Sequence, residues 1–143
     1  MKLHFLIFFF IPLFCLYGAE SQEKTYGNVE VAEVTSIYDG DTFRCNIKDY
    51  PPIIGERVPV RITGIDCPEL KDKRQDIKEL ARQAKQFTVQ RLREGKKIEL
   101  VDMRRDKYFR ILAKVVIDGN DLGQELVKAG LAKPYDGGTK SQW

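Results

Sequence analysis

The stretch VPVRITGIDCPELKDKRQDIKELARQAKQFTVQRLREG, residues 58–95, decides the fold because its hydrophobic period changes partway along. Val58, Val60 and Ile62 alternate with other residues, which is typical of a β-strand with one buried face. After a loop at residues 64–73, apolar residues recur at a helical period of about 3.6. This stripe comprises Ile77, Leu80, Ala84 and Phe87, with Ala81 and Thr88 beside it. Because Gly95 ends the helical pattern, the stretch predicts a strand followed by one longer helix.

Further strands are predicted on both sides of this stretch. They lie at residues 29–38 and 42–47 before it, and from residue 98 and at residues 110–117 after it. The segments are rich in β-branched residues or alternate between apolar and polar residues. The turn-forming residues Asp39-Gly40-Asp41 separate the first two strands, and charged residues at 103–107 predict a turn between the last two. Asp121 predicts the cap of a short helix that ends at Gly130.

Three strands, a longer helix, two strands and a short helix form the element order of a five-stranded Greek-key barrel, the OB-fold. The predicted fold class is therefore mostly β (α+β), with the longer helix between strands three and four. The barrel domain is predicted at residues 29–135, followed by a polar tail at 136–143. A length of 143 residues fits one such domain.

Residues 1–19 have the pattern of a secretory signal peptide. Lys2 gives a positive start, residues 5–17 are an unbroken apolar run, and Gly18 and Ala19 are small residues near a cleavage site. The run is shorter than the roughly 20 residues of a membrane-spanning helix and contains Pro12. We expect cleavage of this segment and a secreted or periplasmic protein; a retained N-terminal anchor is the alternative. Residues 20–28 are predicted to be a flexible leader.

The composition excludes several classes of chemistry. His4 is the single histidine of the chain and lies in the predicted signal peptide. The mature protein therefore has no histidine for a nucleophile pair or for general base catalysis. Its two cysteines, Cys45 and Cys67, are too few for a zinc site. Carboxylates, Arg, Lys and Tyr remain, together with a hard cation bound through oxygen.

Three segments carry charged residues that suit such chemistry. Asp39-Gly-Asp-Thr42 either binds a cation or only forms a turn. Arg61-Ile-Thr-Gly-Ile-Asp-Cys-Pro-Glu69 brings an arginine and two acids to the end of a strand, where they are either surface charges or a phosphate site. Asp106-Lys-Tyr-Phe-Arg110 is a charged turn, and most such charges are merely solvated. Each segment alone leaves both interpretations open.

Taken together, these segments resemble the staphylococcal (micrococcal, thermonuclease-type) nuclease family. The resemblance is carried by Tyr38-Asp-Gly-Asp-Thr-Phe43, the Arg61–Glu69 segment, the Asp106–Arg110 segment and Gly130-Leu-Ala-Lys133, which occur in the order of the family. It implies an OB-fold endonuclease that uses Ca²⁺, rather than Mg²⁺, to hydrolyse DNA and RNA with low sequence specificity. The products would carry 3′-phosphate and 5′-hydroxyl ends. Single-stranded substrate and a monomer without a stable protein partner are also expected.

The resemblance also implies a role for individual residues. The metal ligands would be the carboxylates of Asp41 and Asp66 and the backbone carbonyl of Cys67. The catalytic residues would be Glu69 as general base, and Arg61 and Arg110 as ligands of the scissile phosphate. The substrate would also contact Lys107, Tyr108 and Tyr135. Asp39 would contact the metal ligands rather than the metal itself. One departure is Phe109, which stands where glycine is usual in the family.

Two alternatives accompany this interpretation. Non-catalytic relatives of the family bind single-stranded nucleic acid through the OB-fold alone, but they lose the carboxylates and arginines that this chain keeps. An oxidising compartment would permit a disulfide between Cys45 and Cys67. The favoured interpretation is one thiol buried on a strand, at Cys45, and one thiol in a loop, at Cys67.

Overall fold

The computed structural model describes residues 24–140 and 142–143. The predicted signal peptide and residues 20–23 of the predicted leader lie outside this part of the chain. Within it, the elements are β1 (Val29–Ile37), β2 (Thr42–Ile47), α1 (Pro52–Gly55), β3 (Val58–Ile62), β4 (Ile65–Asp66), α2 (Gln75–Glu94), β5 (Ile98–Arg105), β6 (Ile111–Ile117), β7 (Asn120–Asp121), α3 (Leu122–Lys128) and β8 (Lys133–Pro134).

Five of the described strands close into a barrel. They pair in the order β3-β2-β1-β5-β6, and the parallel pairing of β3 with β6 closes the circle, for example between Val60 and Ile111. The other pairings around the barrel are antiparallel. Together with α2 after β3 and α3 after β6, this is the predicted α+β OB-fold, which is confirmed.

The inward faces of the strands and helix α2 form the core. Phe43, Cys45 and Ile47 are buried on β2, which confirms the face predicted from their alternation. The corresponding residues of β3 are Val60 and Ile62. Alternating residues of a strand point to opposite faces, so burial of one set leaves the other available for a site.

The two predicted helices end for different physical reasons. Gly95 follows α2 with a φ of −65°, which any residue adopts, but a Cβ there would lie 2.4 Å from Cγ2 of Ile117. Gly95 is therefore required by the close approach of the chain to β6. Gly130 follows α3 with a φ of 71°, a left-handed conformation that favours glycine. Asp121 begins α3 by accepting a hydrogen bond from the Gln124 N–H, as predicted.

The predicted charged turn at residues 103–107 is wrong. Strand β5 continues to Arg105, and Arg104 and Arg105 pair with Leu112 and Ile111 of β6. The register shifts between Val101 and Arg104, which is typical of a β-bulge. The bulge lets a highly charged segment remain in the sheet, so the turn itself is confined to residues 106–110.

The predicted loop at residues 64–73 and the connection between β2 and β3 contain short regular elements. Residues 49–55 include the single turn α1, and residues 64–73 include β4. Strand β4 pairs with β8, where Asp66 lies opposite Lys133. Two-residue strands that pair across such a distance in sequence carry no periodicity of their own, so local patterns do not predict them.

The described part of the leader is attached to the barrel. The Tyr26 N–H donates to the Met103 carbonyl at 2.8 Å, and the Met103 N–H donates to the Gly27 carbonyl at 3.0 Å. Among the described helices, none combines the length and the apolar character required to cross a bilayer.

Candidate active site

One cleft of about 840 Å³ brings all the sequence-predicted site residues together. They come from the β1–β2 turn, from β3, from β4 and the loop after it, from the β5–β6 turn and from the segment after β8. The ten predicted residues, all of which line the cleft, are Asp39, Asp41, Arg61, Asp66, Cys67, Glu69, Lys107, Tyr108, Arg110 and Tyr135. The segments are far apart in sequence and meet because each leaves the barrel on the same side.

Helix α2 fixes the turn between β1 and β2. The buried Thr88 hydroxyl of α2 donates to the Gly40 carbonyl at 2.6 Å. A Cβ at Gly40 would lie 2.8 Å from Sγ of Cys67 and 2.9 Å from Cβ of Ala84. Gly40 is therefore needed for close packing of the turn between α2 and the segment after β4. The Asp39 carboxylate accepts from the Asp41 N–H at 3.1 Å and stabilises the same turn.

Two buried carboxylates share the guanidinium of Arg61. Nη1 of Arg61 contacts Oδ2 of Asp41, and Nη2 lies 3.1 Å from Oδ1 of Asp66. The exposed fractions of the Asp41 and Asp66 side chains are only 6% and 7%. The Cys67 N–H donates to Oδ2 of Asp41 at 2.8 Å and holds this carboxylate from the other side. A buried carboxylate needs such partners, because its desolvation is otherwise costly.

Burial and charge shift the pKa values of several of these groups. Burial lowers the pKa of Arg61, against the stabilising charges of Asp66 and Asp39. Burial raises the pKa of Asp39, although the nearby guanidinium of Arg61 opposes this shift. The cleft is thus a partly desolvated place in which charges interact more strongly than in water.

Both described cysteines are buried free thiols. Burial raises the pKa of Cys45 and that of Cys67 to about 12, so both thiols are neutral at pH 7. The interpretation of Cys67 as a loop thiol is incomplete, since its side chain packs against Gly40 in the interior. The structure has no disulfide between Cys45 and Cys67.

Lys140 is a cleft residue that the sequence interpretation missed. Its Nζ lies 2.9 Å from Oδ1 of Asp66 and 3.2 Å from Oε1 of Glu69. Burial by itself lowers the pKa of Lys140, but the hydrogen bonds to these two carboxylates outweigh it and raise that pKa. In the sequence, Lys140 is one basic residue in a polar tail, with no motif around it. Arg104 and Arg105 also line the cleft and were missed because they were assigned to a turn.

Asp106 organises the β5–β6 turn. Its Oδ1 accepts from the N–H groups of Tyr108 at 2.8 Å and Arg110 at 2.9 Å, and its Oδ2 accepts from Nε of Arg110 at 2.8 Å. The guanidinium carbon of Arg110 lies 5.5 Å from the centre of the Tyr108 ring, and Nζ of Lys107 lies 5.2 Å from it. Phe109 has a φ of 61°, a left-handed conformation in which a bulky side chain is unfavourable. This conformation is the physical reason why glycine suits that position.

Tyr135 also lines the cleft, from the segment after β8. Its N–H donates to the Gly64 carbonyl at 3.0 Å, and its hydroxyl donates to the Gly138 carbonyl at 2.9 Å. The hydroxyl of Tyr135, a cleft-lining residue, is thus engaged within the tail.

The donor set of the cleft suits a hard divalent cation. Asp41 and Asp66 provide carboxylate oxygens in a partly desolvated setting, and Ca²⁺ is commonly completed by backbone carbonyls and water. Within residues 24–140 and 142–143, no three His, Cys, Asp or Glu side chains are grouped as a complete metal site. The residues thus fit a divalent cation in the chemistry of their donor atoms. In this structure the two buried carboxylates contact the cationic groups of Arg61 and Lys140.

This chain is similar to proteins that are described as nuclease homologues or probable endonucleases. A family model described as "Staphylococcal nuclease homologue" matches residues 59–142. "Probable endonuclease lcl3" of Pyrenophora tritici-repentis is 26% identical, over 78% of this chain and 49% of the relative. "Probable endonuclease LCL3" of Pyricularia oryzae is 28% identical, over 72% of this chain and 48% of the relative. The chain thus spans about half the length of these relatives.

Proposed function

The chain belongs to the family of staphylococcal nuclease homologues, since the family model matches more than half of it, and from this premise we propose that it is an exported endonuclease. It hydrolyses phosphodiester bonds of DNA and RNA, preferentially single-stranded, with little sequence specificity. The proposed products carry 3′-phosphate and 5′-hydroxyl ends. The observation that carries the proposal is the convergence of two buried carboxylates, one exposed carboxylate and two arginines in one cleft.

The arginines are the proposed phosphate ligands. A planar guanidinium donates two parallel hydrogen bonds to a phosphate and stabilises the negative charge that gathers on its oxygens during hydrolysis. Arg110 is held toward the cleft by Asp106. Arg61 is engaged with Asp41 and Asp66 through both terminal nitrogens, so binding of a phosphate exchanges part of these contacts.

Glu69 is the proposed general base. The exposed fraction of its side chain is 65%, so its carboxylate is accessible to water in the cleft. Removing a proton from the attacking water requires a carboxylate within hydrogen-bond reach of that water. Lys140 pairs with Glu69 in this structure. In the proposed reaction Lys140 leaves the Glu69 carboxylate before that carboxylate accepts a proton.

Asp41 and Asp66, with the Cys67 carbonyl, are the residues that would hold Ca²⁺, whose charge would stabilise the developing negative charge of the phosphate. Both side chains are already held in place, by the Cys67 N–H and by Arg61. This rigid support reduces the reorganisation needed when a cation binds.

A cleavage assay tests the proposal. Protein produced from the full chain is incubated with single-stranded DNA in Ca²⁺ and separately in EDTA, beside the variants Glu69→Gln and Glu79→Gln. Glu79 is an exposed glutamate on α2 that pairs with Arg82, so it is a matched control for Glu69. We expect cleavage in Ca²⁺ only, lowered on the order of 10²–10⁴-fold by Glu69→Gln and unchanged by Glu79→Gln.

Two results would contradict the proposal. DNA that binds but stays intact with every metal would make the chain a binding module with the OB-fold, the alternative considered above. Cleavage by Glu69→Gln at the rate of the unchanged protein would remove Glu69 as the base. Export is tested separately by the mass of the protein recovered outside the cytoplasm, and the product ends by treating the fragments with a 3′-phosphatase.

A further inference from the structure

Phe109 lies between two residues that line the cleft, Tyr108 and Arg110, but is not itself a lining residue, and the proposed hydrolysis gives it no role. It lies in the β5–β6 turn with 74% of its surface exposed and a φ of 61°. For a bulky L-residue this backbone conformation is strained. Three of the other four non-glycine residues with positive φ in residues 24–140 and 142–143 are aspartates, which tolerate it better. Neither burial nor backbone preference therefore accounts for a phenylalanine here.

The surroundings of Phe109 alternate aromatic rings with guanidinium groups. The guanidinium carbon of Arg105 lies 5.9 Å from the centre of the Phe109 ring. Next to it, the guanidinium of Arg110 lies 5.5 Å from the Tyr108 ring, which is itself 66% exposed. Arg105, Tyr108 and Arg110 all line the cleft. Exposed rings beside cationic groups are the usual composition of a surface that binds single-stranded nucleic acid.

The backbone of Phe109 is fixed next to that of Arg110. Adjacent Cα atoms are about 3.8 Å apart, so the Phe109 backbone is as close to Arg110 as two residues allow. Asp106 fixes the turn through the N–H groups of Tyr108 and Arg110, one on each side of Phe109. The ring is thus carried by a hydrogen-bonded turn whose next residue is the arginine proposed to hold the scissile phosphate. In OB-folds, the connection between the last two barrel strands is a common place for oligonucleotide contacts.

We propose that Phe109 is a stacking platform for one base of a single-stranded substrate, next to the phosphate held by Arg110. This inference rests on the proposed function. A base stacks on Phe109 only when it is free of its own helical stack, so the residue favours single strands over duplex. Because every base has a flat face, stacking raises affinity with little dependence on sequence. The left-handed backbone is retained because the ring serves the substrate.

Binding assays on matched variants test this role. All proteins carry Glu69→Gln, so that oligonucleotides stay intact in Ca²⁺, and binding is followed by fluorescence anisotropy. The probes are short single-stranded DNAs with one abasic site at successive positions, beside the intact DNA. Phe109→Gly removes the ring, whereas Phe109→Tyr keeps it. Asp49→Gly is the control, since Asp49 is exposed, has a φ of 60° and lies in the connection between β2 and β3, from which no residue lines the cleft.

The expected result is a loss of both affinity and base dependence at one position. In the protein with Phe109, one abasic position weakens binding at least about fivefold, as the loss of one stacked base predicts. Phe109→Gly binds the intact DNA at least that much more weakly and no longer distinguishes the abasic position. Phe109→Tyr and Asp49→Gly keep the original pattern. The melting temperature of Phe109→Gly is no lower than that of the unchanged protein, because glycine relieves the backbone strain.

Other outcomes would overturn the inference. If Phe109→Gly keeps the abasic penalty or the full affinity, the ring only covers Arg105 and does not stack on a base. If no abasic position matters in any variant, no base stacks at this turn. If the protein binds no oligonucleotide at all, the proposed function fails together with the inference, and this result is distinct from the other two.

Discussion

Asp106 is the residue that determines where Arg110 points. Its carboxylate accepts three hydrogen bonds, two from backbone N–H groups of the turn and one from the Arg110 side chain. Burial by itself raises the pKa of Asp106, but the hydrogen bonds from Arg110 and Tyr108 outweigh it and leave the pKa below the ordinary value of 3.8. Asp106 therefore stabilises the folded protein only in its ionised form.

We expect Asp106→Asn to destabilise the protein at pH 7 by about 1 kcal/mol, since an amide cannot replace the charged contact with Arg110. The wild-type advantage is fully present above the unfolded pKa and is lost as the pH falls through the lower folded pKa. The unfolding free energies of the two proteins, measured in urea from pH 7 to pH 2, should therefore converge at acid pH. Cleavage should fall at least about tenfold, because Arg110 is no longer oriented. A constant difference across this pH range would contradict the role of the ionised carboxylate.

At the scale of elements, helix α2 is the support on which the β1–β2 turn is built. Thr88 and Ala84 of α2 contact Gly40, which lies between the two aspartates of the turn. The register of the helix against the barrel thus sets the position of Asp41. Helix α2 contributes no predicted site residue, yet the site depends on its packing.

The variant Thr88→Val tests this dependence. It leaves the buried Gly40 carbonyl without its donor, so we expect a loss of about 1–3 kcal/mol in unfolding free energy and weaker binding of Ca²⁺. Thr35→Val is the control, because the buried Thr35 hydroxyl has no hydrogen-bond partner among the described residues. Urea unfolding gives the stability, and calorimetric titration gives the Ca²⁺ affinity. Equal effects of the two substitutions would argue against support of the turn by α2.

At the scale of the whole molecule, the C-terminal segment folds back over the cleft. Strand β8 pairs with β4, and the following residues bring Lys140 to Asp66 and Glu69. The ammonium group of Lys140 thus contacts Asp66, a proposed ligand of the divalent cation, and Glu69, the proposed general base. Under the proposed function, Lys140 would compete with Ca²⁺ for the Asp66 carboxylate, because two cations there repel each other.

We expect Lys140→Gln to raise the affinity for Ca²⁺ by about three- to tenfold, as removal of a half-exposed charge predicts. Lys48→Gln is the matched control: Lys48 forms a 3.0 Å ion pair with Glu30, and its side chain is 49% exposed, as that of Lys140 is. The readouts are calorimetric titration and the rise in melting temperature with added Ca²⁺, which reports binding without cleavage. An unchanged affinity in Lys140→Gln would show that the lysine does not compete.

The predictable part of the site came from short motifs that each fold locally. Asp39, Asp41, Arg61 and Arg110 lie at strand ends or turns, where local residue types and hydrophobic period already indicate the structure. Family resemblance then assigned the roles. Lys140, Arg104 and Arg105 escaped prediction, because their place in the cleft depends on a bulge in β5 and on the β4–β8 pairing.

By itself the sequence determined the barrel, because alternation, helical period and turn chemistry are local properties of the chain. The family and the ten predicted site residues came from the resemblance of its short motifs to the staphylococcal nuclease family. The tertiary structure alone decided what those residues touch. It placed Arg61 between Asp41 and Asp66, buried Cys67 against Gly40, made Gly95 necessary through contact with Ile117, and brought Lys140 over the cleft. These contacts join residues that are distant along the chain, and only the closed barrel and its packed helix bring them within reach.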